Sequence, residues 1–131
     1  MSEIRVAVAG VGNCTSSLVQ GKYYYRDLKV KEGEIIPGLM HPEIGGYKVS
    51  DISVVVAFDI DSRKVGKDLS EAIWGAPNCT AKFADVPRTG VKVLMGPVLD
   101  GVTEHLGMYV EVSDQAPVGD VDEVARILKE N

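Results

Sequence analysis

The pattern of hydrophobic and polar positions changes from block to block along the chain, and each block predicts a different element. Small and branched apolar residues between Ile4 and Ala9 are typical of a strand covered on both faces in a parallel sheet, and a second strand is predicted from Ile52 to Phe58. A shorter run from Val91 to Met95 predicts a third strand. Because helical patterns lie between these runs, the sequence predicts an open α/β sheet rather than a bundle or a sandwich.

Three further segments carry apolar residues at helical spacing. The first helix begins after a glycine turn, and the second can be capped by Asp61 or Ser62. Asp120 stands three residues before Glu123, which is the spacing of a capping box and predicts where the last helix starts. Asp100 can cap a short helix after the third strand. The predicted apolar faces are Cys14, Leu18, Tyr25 and Leu28, then Val65, Leu69, Ala72 and Ile73, and finally Val121, Val124, Ala125 and Leu128.

Residues 29–50 interrupt this alternation and form a long inserted loop. Glycine and proline recur through the segment, and few apolar positions are periodic. Loops of this length are usually functional or disordered. We expect an ordered loop that docks on the domain, because it carries the apolar residues Ile35, Ile36, Leu39, Met40 and Ile44.

The composition limits the classes of protein to consider. A chain of 131 residues with 45% apolar residues makes one globular domain. The net charge of -5 and the lack of a basic stripe exclude a phosphate-driven nucleic-acid binder. No apolar run has the length of a signal peptide or a membrane span, so we expect a cytoplasmic protein without membrane contact. Two isolated cysteines predict neither a metal site nor a disulfide framework.

The order of elements predicts a Rossmann-like, doubly wound parallel sheet. The chain stops after the last helix, although a strand should follow a helix that packs on a parallel sheet. We therefore interpret residues 1–131 as a partial dinucleotide-binding domain, truncated at its C-terminal end. The free helix face and the unpaired sheet edge favour association, either with further copies or with a remaining part of the protein.

The glycine turn between the first strand and the first helix is the strongest chemical signal. Gly10 can make the sharp turn and Gly12 can admit a diphosphate to the free amides of the helix. Thr15 stands where the dinucleotide fingerprint has a third small residue. On its own this partial motif is weak, because glycines at a strand-to-helix turn are often only turn residues.

Asp59, at the end of the second long strand, supports the dinucleotide interpretation. An acidic residue there binds the ribose hydroxyls of the adenosine half, usually about 20 residues after the glycines. Asp59 lies 49 positions after Gly10, but 22 of these belong to the inserted loop. Its carboxylate would repel a 2′-phosphate, which favours NAD over NADP, although Arg63 and Lys64 keep NADP open. The alternative role of Asp59 is to cap the residues that follow it.

The sequence does not identify a catalytic residue. Acid–base chemistry needs a positioned proton carrier, and the two histidines are His41 in the inserted loop and His105 beside Glu104. Neither belongs to a nucleophile or metal-ligand set, so no catalytic or metal residue is assigned. A nucleotide-binding or redox-sensing module without catalysis is therefore an alternative to an enzyme.

Several blocks follow one another in a fixed order along nearly the whole chain. The blocks are Gly10-Val11-Gly12-Asn13-Cys14, Ser16-Ser17-Leu18-Val19-Gln20-Gly21, Gly38-Leu39-Met40-His41, Phe58-Asp59-Ile60-Asp61, Lys64-Val65-Gly66-Lys67-Asp68-Leu69, Asp85-Val86-Pro87 and Gly96-Pro97-Val98-Leu99-Asp100-Gly101. In this order they resemble inositol-3-phosphate synthases of archaea and actinobacteria.

The resemblance implies an NAD-dependent isomerase that converts glucose 6-phosphate to inositol phosphate by oxidation, aldol cyclisation and reduction. It implies that Asp59 contacts the adenosine ribose, that Ile60 lies beside the adenine, and that the pyrophosphate is lined by Gly10, Val11, Gly12, Asn13 and Cys14. The family's catalytic lysines and oligomerising sheet belong to a later domain that this chain lacks. We therefore expect glucose 6-phosphate to bind only with that domain, and the isolated chain to be inactive.

Overall fold

A computed structural model describes residues 3–27, 29, 31 and 33–131. Leu28, predicted on the face of the first helix, lies outside the described residues. The strands are β1 (Ile4–Ala9), β2 (Glu43–Ile44), β3 (Tyr47–Lys48), β4 (Ile52–Asp59) and β5 (Val93–Met95). The helices are α1 (Asn13–Tyr25), α2 (Leu69–Ala72) and α3 (Val121–Glu130), with a 3₁₀ turn at Val49–Asp51.

The three strands predicted from the apolar runs form one parallel sheet in the order β1-β4-β5. Helix α1 connects β1 to β4, and α2 lies between β4 and β5. The predicted mixed α/β architecture is confirmed, and this parallel arrangement fits a Rossmann-like fold. The second winding of the sheet and its truncation stay predictions. Carboxyl ends of all three strands lie at one edge, which is where ligands bind in open α/β sheets.

The main buried cluster joins the sheet to side chains from α1 and α2. Each strand contributes one residue to this cluster, and on β4 the neighbouring Val56 is buried as well. The core comprises Val8, Val11, Val19, Ala57, Leu69, Ala72, Ile73 and Val93. On β1 the intervening Ala7 and Ala9 are exposed, so the prediction of a strand covered on both faces is wrong in this structure. Only Val8 of this strand is buried.

Helix α2 begins later than predicted. Gly66 adopts a φ of +85°, a conformation that interrupts a right-handed helix. The backbone then pairs with the segment that leads into β5, since the Leu69 N–H donates to the Val91 carbonyl at 2.8 Å. Asp68, rather than Asp61 or Ser62, caps the helix. The burial of Val65, Leu69, Ala72 and Ile73 is confirmed, but they do not share one helix face, because α2 contains only Leu69 and Ala72 of the four.

The inserted loop is partly folded as a hairpin of β2 and β3. Gly45 and Gly46 both have positive φ and make the turn between these strands. The Tyr25 hydroxyl donates to the Pro37 carbonyl at 2.9 Å and ties the loop to the end of α1. The expected docking of its apolar residues is largely wrong, because three of the five stay exposed: Ile35, Met40 and Ile44.

The last helix starts as predicted, whereas the helix predicted after Asp100 is not formed. The Asp120 carboxylate accepts from the N–H groups of Asp122 and Glu123 at 3.1 Å each, which is an N-terminal cap. Near Asp100 the chain forms turns, with the Gly101 N–H donating to the Val98 carbonyl at 2.9 Å and the Leu106 N–H donating to the Thr103 carbonyl at 2.9 Å. Among the described residues, no helix is long and apolar enough to cross a membrane.

Candidate functional site

The turn after β1 is shaped by Gly10 and fastened by Thr15. Gly10 has a φ of +90°, which favours glycine, and its N–H donates to the Phe58 carbonyl at 2.8 Å. The Thr15 hydroxyl donates to the Gly10 carbonyl at 2.7 Å, and the Thr15 side chain is buried. The residue that departs from the fingerprint therefore closes the turn from inside the helix.

Free backbone N–H groups follow this turn. Gly12 occupies the position before α1, and the first intrahelical bond runs from the Ser16 N–H to the Gly12 carbonyl at 2.9 Å. Within the described chain no side chain caps this end of the helix. A Cβ built on Gly12 would meet nothing within 4 Å, so the backbone there is open to approach. Such an end attracts anions through its N–H groups and the helix dipole.

Asp59 is drawn beneath the turn rather than left free at the end of β4. One carboxylate oxygen accepts from the Val11 N–H at 2.6 Å, and the other accepts from Ile60 N–H at 2.7 Å and Asp61 N–H at 2.9 Å. The side chain is 10% exposed. A carboxylate has about four acceptor positions, so the three N–H groups leave roughly one, on the oxygen that lies 4.0 Å from the Lys64 Nζ.

Two Asn-Cys-Thr segments, residues 13–15 and 78–80, contact each other at the turn. The Asn13 side-chain oxygen accepts from the N–H groups of Cys79 at 2.8 Å and Thr80 at 3.1 Å. Asn78 reaches the turn itself, because its Nδ2 donates to the Val11 carbonyl at 3.0 Å. Sequence reasoning did not assign Asn78 to the site. The repeat of the triplet was the available signal.

The other predicted site residues take different positions. The Val11 side chain is fully buried in the core, and both of its polar backbone groups are bonded to side chains. Cys14 is exposed at the start of α1. Ile60 is half-buried, and its carbonyl accepts from the Ser113 N–H at 2.8 Å. These three residues therefore follow the carboxyl ends of β1 and β4, but they differ in how far their side chains are exposed.

Arg63 and Lys64, the two basic residues that made NADP an alternative ligand, are bonded to partners within the protein. Arg63 forms a paired contact with Asp61 at 2.8 and 2.6 Å, and also donates to the Tyr109 carbonyl at 2.6 Å. Lys64 is buried and donates to Asn78 at 2.9 Å. Burial raises the pKa of Asp61, but hydrogen bonds from Arg63 outweigh burial and hold that pKa below its ordinary value.

Other features of the structure lie apart from this edge. His41 and His105 are both exposed. The described residues contain no group of three or more metal-ligating side chains. A cavity of about 450 Å³ lies at the far end of α1, roughly 20 Å along a helix of this length. It is lined by the inserted loop with Tyr25 and Arg26, and it shares no residue with the turn.

The fold and the turn define a parallel α/β domain with an anion-attracting helix start at the carboxyl edge of its sheet. No protein-family model matches the chain. Inositol-3-phosphate synthase from Mycolicibacterium smegmatis is 53% identical over 128 residues, 98% of this chain and 34% of that protein. The Corynebacterium glutamicum synthase is 52% identical over 117 residues, 89% of this chain and 32% of that protein.

A solved structure, the crystal structure of Ari2, is 40% identical with a TM-score of 0.65, covering 73% of this chain and 30% of that one. The chain is therefore homologous to actinobacterial inositol-3-phosphate synthases, and the resemblance seen in the sequence blocks is confirmed. It spans about a third of the length of the curated relatives it matches.

Proposed function

We propose that this chain is the NAD-binding portion of an inositol-3-phosphate synthase. The observation that carries the proposal is the open, uncapped start of α1 at Gly12, with the carboxylate of Asp59 beneath it. The diphosphate would lie against the N–H groups that follow Gly12, and the last acceptor position of Asp59 would meet a ribose hydroxyl. Homologues with the synthase name support the same assignment.

The chain's own residues prepare this edge for an anionic ligand. Gly10 and Thr15 fix the turn, and Asn13 joins it to residues 79–80, so little ordering is left for the bound state. Ile60 would contact the adenine from the end of β4. When bound, NAD⁺ would accept a hydride, and the NADH so formed would give it back. Glucose 6-phosphate and the catalytic groups would be held by the remaining part of the synthase, so we expect the chain alone to be inactive.

Titration calorimetry with NAD⁺ and NADP⁺ tests the binding part of this proposal. We expect saturable binding of NAD⁺ and weaker binding of NADP⁺, because Asp59 repels a 2′-phosphate while Arg63 is held by Asp61. A folded chain that binds neither nucleotide at millimolar concentration would contradict it.

A chimera tests the enzymatic part. The matched 128 residues of the Mycolicibacterium smegmatis synthase are replaced by this chain. We expect formation of inositol phosphate from glucose 6-phosphate, and loss of activity when the chimera also carries Gly12→Ala. A chimera that folds and binds NAD⁺ but stays inactive would instead favour the non-catalytic binding module.

A further inference from the structure

Lys64 is a buried cation below the nucleotide turn. The residue is 4% exposed, and its ammonium donates to the Asn78 Oδ1 at 2.9 Å. The same ammonium lies 4.0 Å from the Asp59 Oδ2. A buried charge is costly unless it is paired and hydrogen-bonded, and Lys64 has a carboxylate and an amide oxygen for this purpose.

The two partners of Lys64 hold the same residue of the turn. Asp59 accepts from the Val11 N–H at 2.6 Å, and Asn78 donates to the Val11 carbonyl at 3.0 Å. The backbone of Val11 is thereby fixed on both sides, immediately before Gly12. Lys64 touches neither group of Val11, but it contacts both side chains that do.

The chemistry of an ammonium also decides how Asn78 is oriented. Lysine only donates, so it faces the Oδ1 of Asn78 and leaves the Nδ2 for the carbonyls of Val11 and Ile73, both at 3.0 Å. The positive charge of Lys64 reduces, without cancelling, the repulsion between Asp59 and a diphosphate at the turn. Orientation and charge compensation therefore both come from one side chain.

We propose that Lys64 is a positioning residue for nucleotide binding, which presets the turn through Asp59 and Asn78. The inference rests on the proposed function, and it adds a residue that would act without touching the nucleotide. The affinity for the nucleotide would then depend on the buried contacts of Lys64 with Asp59 and Asn78.

The test compares Lys64→Met with Lys67→Met, a matched change at an exposed lysine three residues along the chain. NAD⁺ affinity is measured by calorimetry, and amide hydrogen exchange is measured at Val11 and Val93. We expect Lys64→Met to weaken NAD⁺ binding about tenfold. Exchange should accelerate at Val11 and stay unchanged at Val93, whose N–H is bonded to the Lys67 carbonyl in the core. Lys67→Met should change neither.

A general loss of stability would accelerate exchange at Val11 and Val93 together, and this result would overturn the inference. Unchanged NAD⁺ binding by Lys64→Met would overturn it as well. Should the unaltered chain bind no NAD⁺, the proposed function fails, and exchange at Val11 alone then decides whether Lys64 positions the turn. Asn78→Asp is the second variant if Lys64→Met does not fold. It gives Lys64 a carboxylate but removes the donor to Val11, so the same local effects are expected.

Discussion

The carboxylate of Asp59 holds the N–H of Val11 at 2.6 Å across 48 positions of sequence. This bond joins the end of β4 to the turn after β1, so the residue proposed to bind a ribose also maintains the shape of the proposed diphosphate site. The two roles share one side chain. Binding and stability should therefore respond together when Asp59 is changed.

Asp59→Asn should weaken NAD⁺ binding about tenfold and lower the free energy of unfolding by about 1–3 kcal/mol. Both effects are expected because the substitution removes a charged acceptor of three N–H groups. Calorimetry and urea unfolding measure the two effects. Asp27→Asn, at a carboxylate whose side chain is 85% exposed, is the matched control and should change neither. Normal affinity in Asp59→Asn would contradict the role in binding.

Gly12→Ala should abolish detectable NAD⁺ binding while leaving the midpoint of urea unfolding nearly unchanged. Gly12 has a φ of -91°, which alanine adopts, and its new Cβ would meet nothing in the protein. The methyl group would instead occupy the approach of a diphosphate. Calorimetry and denaturant titration on the same sample separate the two properties.

Gly10→Ala is the comparison for that change. Gly10 has a φ of +90°, so alanine there should cost about 1–3 kcal/mol of stability through backbone strain. If both alanine variants lost stability equally, or if Gly12→Ala bound NAD⁺ normally, the assignment of separate roles to the two glycines would fail.

Asp68 makes stability depend on pH. Burial raises its pKa, but hydrogen bonds from Ser70 and Thr89 outweigh burial and hold the pKa well below the ordinary value of 3.8. Asp68 therefore binds a proton more readily in the unfolded chain than in the folded one. Its contribution to the free energy of unfolding is complete above the unfolded pKa and is lost as pH falls below that pKa. Asp68→Asn should cost about 2 kcal/mol at pH 7 and progressively less below about pH 4.

Urea midpoints between pH 7 and pH 2.5 measure this difference. Asp114→Asn, at an exposed aspartate, should follow the unaltered chain throughout. A gap between Asp68→Asn and the unaltered chain that stayed constant down to pH 2.5 would show that protonation of Asp68 is not responsible.

Releasing Arg63 should reduce the preference for NAD⁺ over NADP⁺. Asp61→Ser removes both carboxylate contacts of this guanidinium, which could then meet a 2′-phosphate. We expect NADP⁺ to gain about tenfold relative to NAD⁺, measured as a ratio of dissociation constants. The double variant with Arg63→Met should lack the gain. An equal gain in both variants would show that loss of the Asp61 carboxylate, and not release of Arg63, changes the preference.

Most of the fold was predictable because apolar periodicity reports burial. The strands β1 and β4 and the buried residues of α2 follow from the spacing of apolar residues, and the start of α3 follows from the capping signal at Asp120. The start of α2 was not predictable, because it depends on the pairing of residues 66–69 with β5. Local capping signals at Asp61 and Asp68 are equally good, and the tertiary contact decides between them.

The candidate site was predictable only in part. A glycine turn followed by a distant aspartate indicates a dinucleotide site through spacing, and the structure does bring Gly10 and Asp59 to one edge. The contributions of Asn78 and Lys64 depend on which side chains meet across the fold. Polar residues in a loop carry no periodic signal, so apart from the repeated Asn-Cys-Thr triplet nothing in the sequence joins them to Val11.

The contacts between Asn13 and residues 79–80 span 66 and 67 positions, so the turn cannot be completed by a local segment. During synthesis the first 25 residues can form strand and helix early, but their final geometry waits until residue 80 has left the ribosome and closed a large loop. The chain would then gain its affinity for the nucleotide late in folding, and it would lose that affinity early in unfolding.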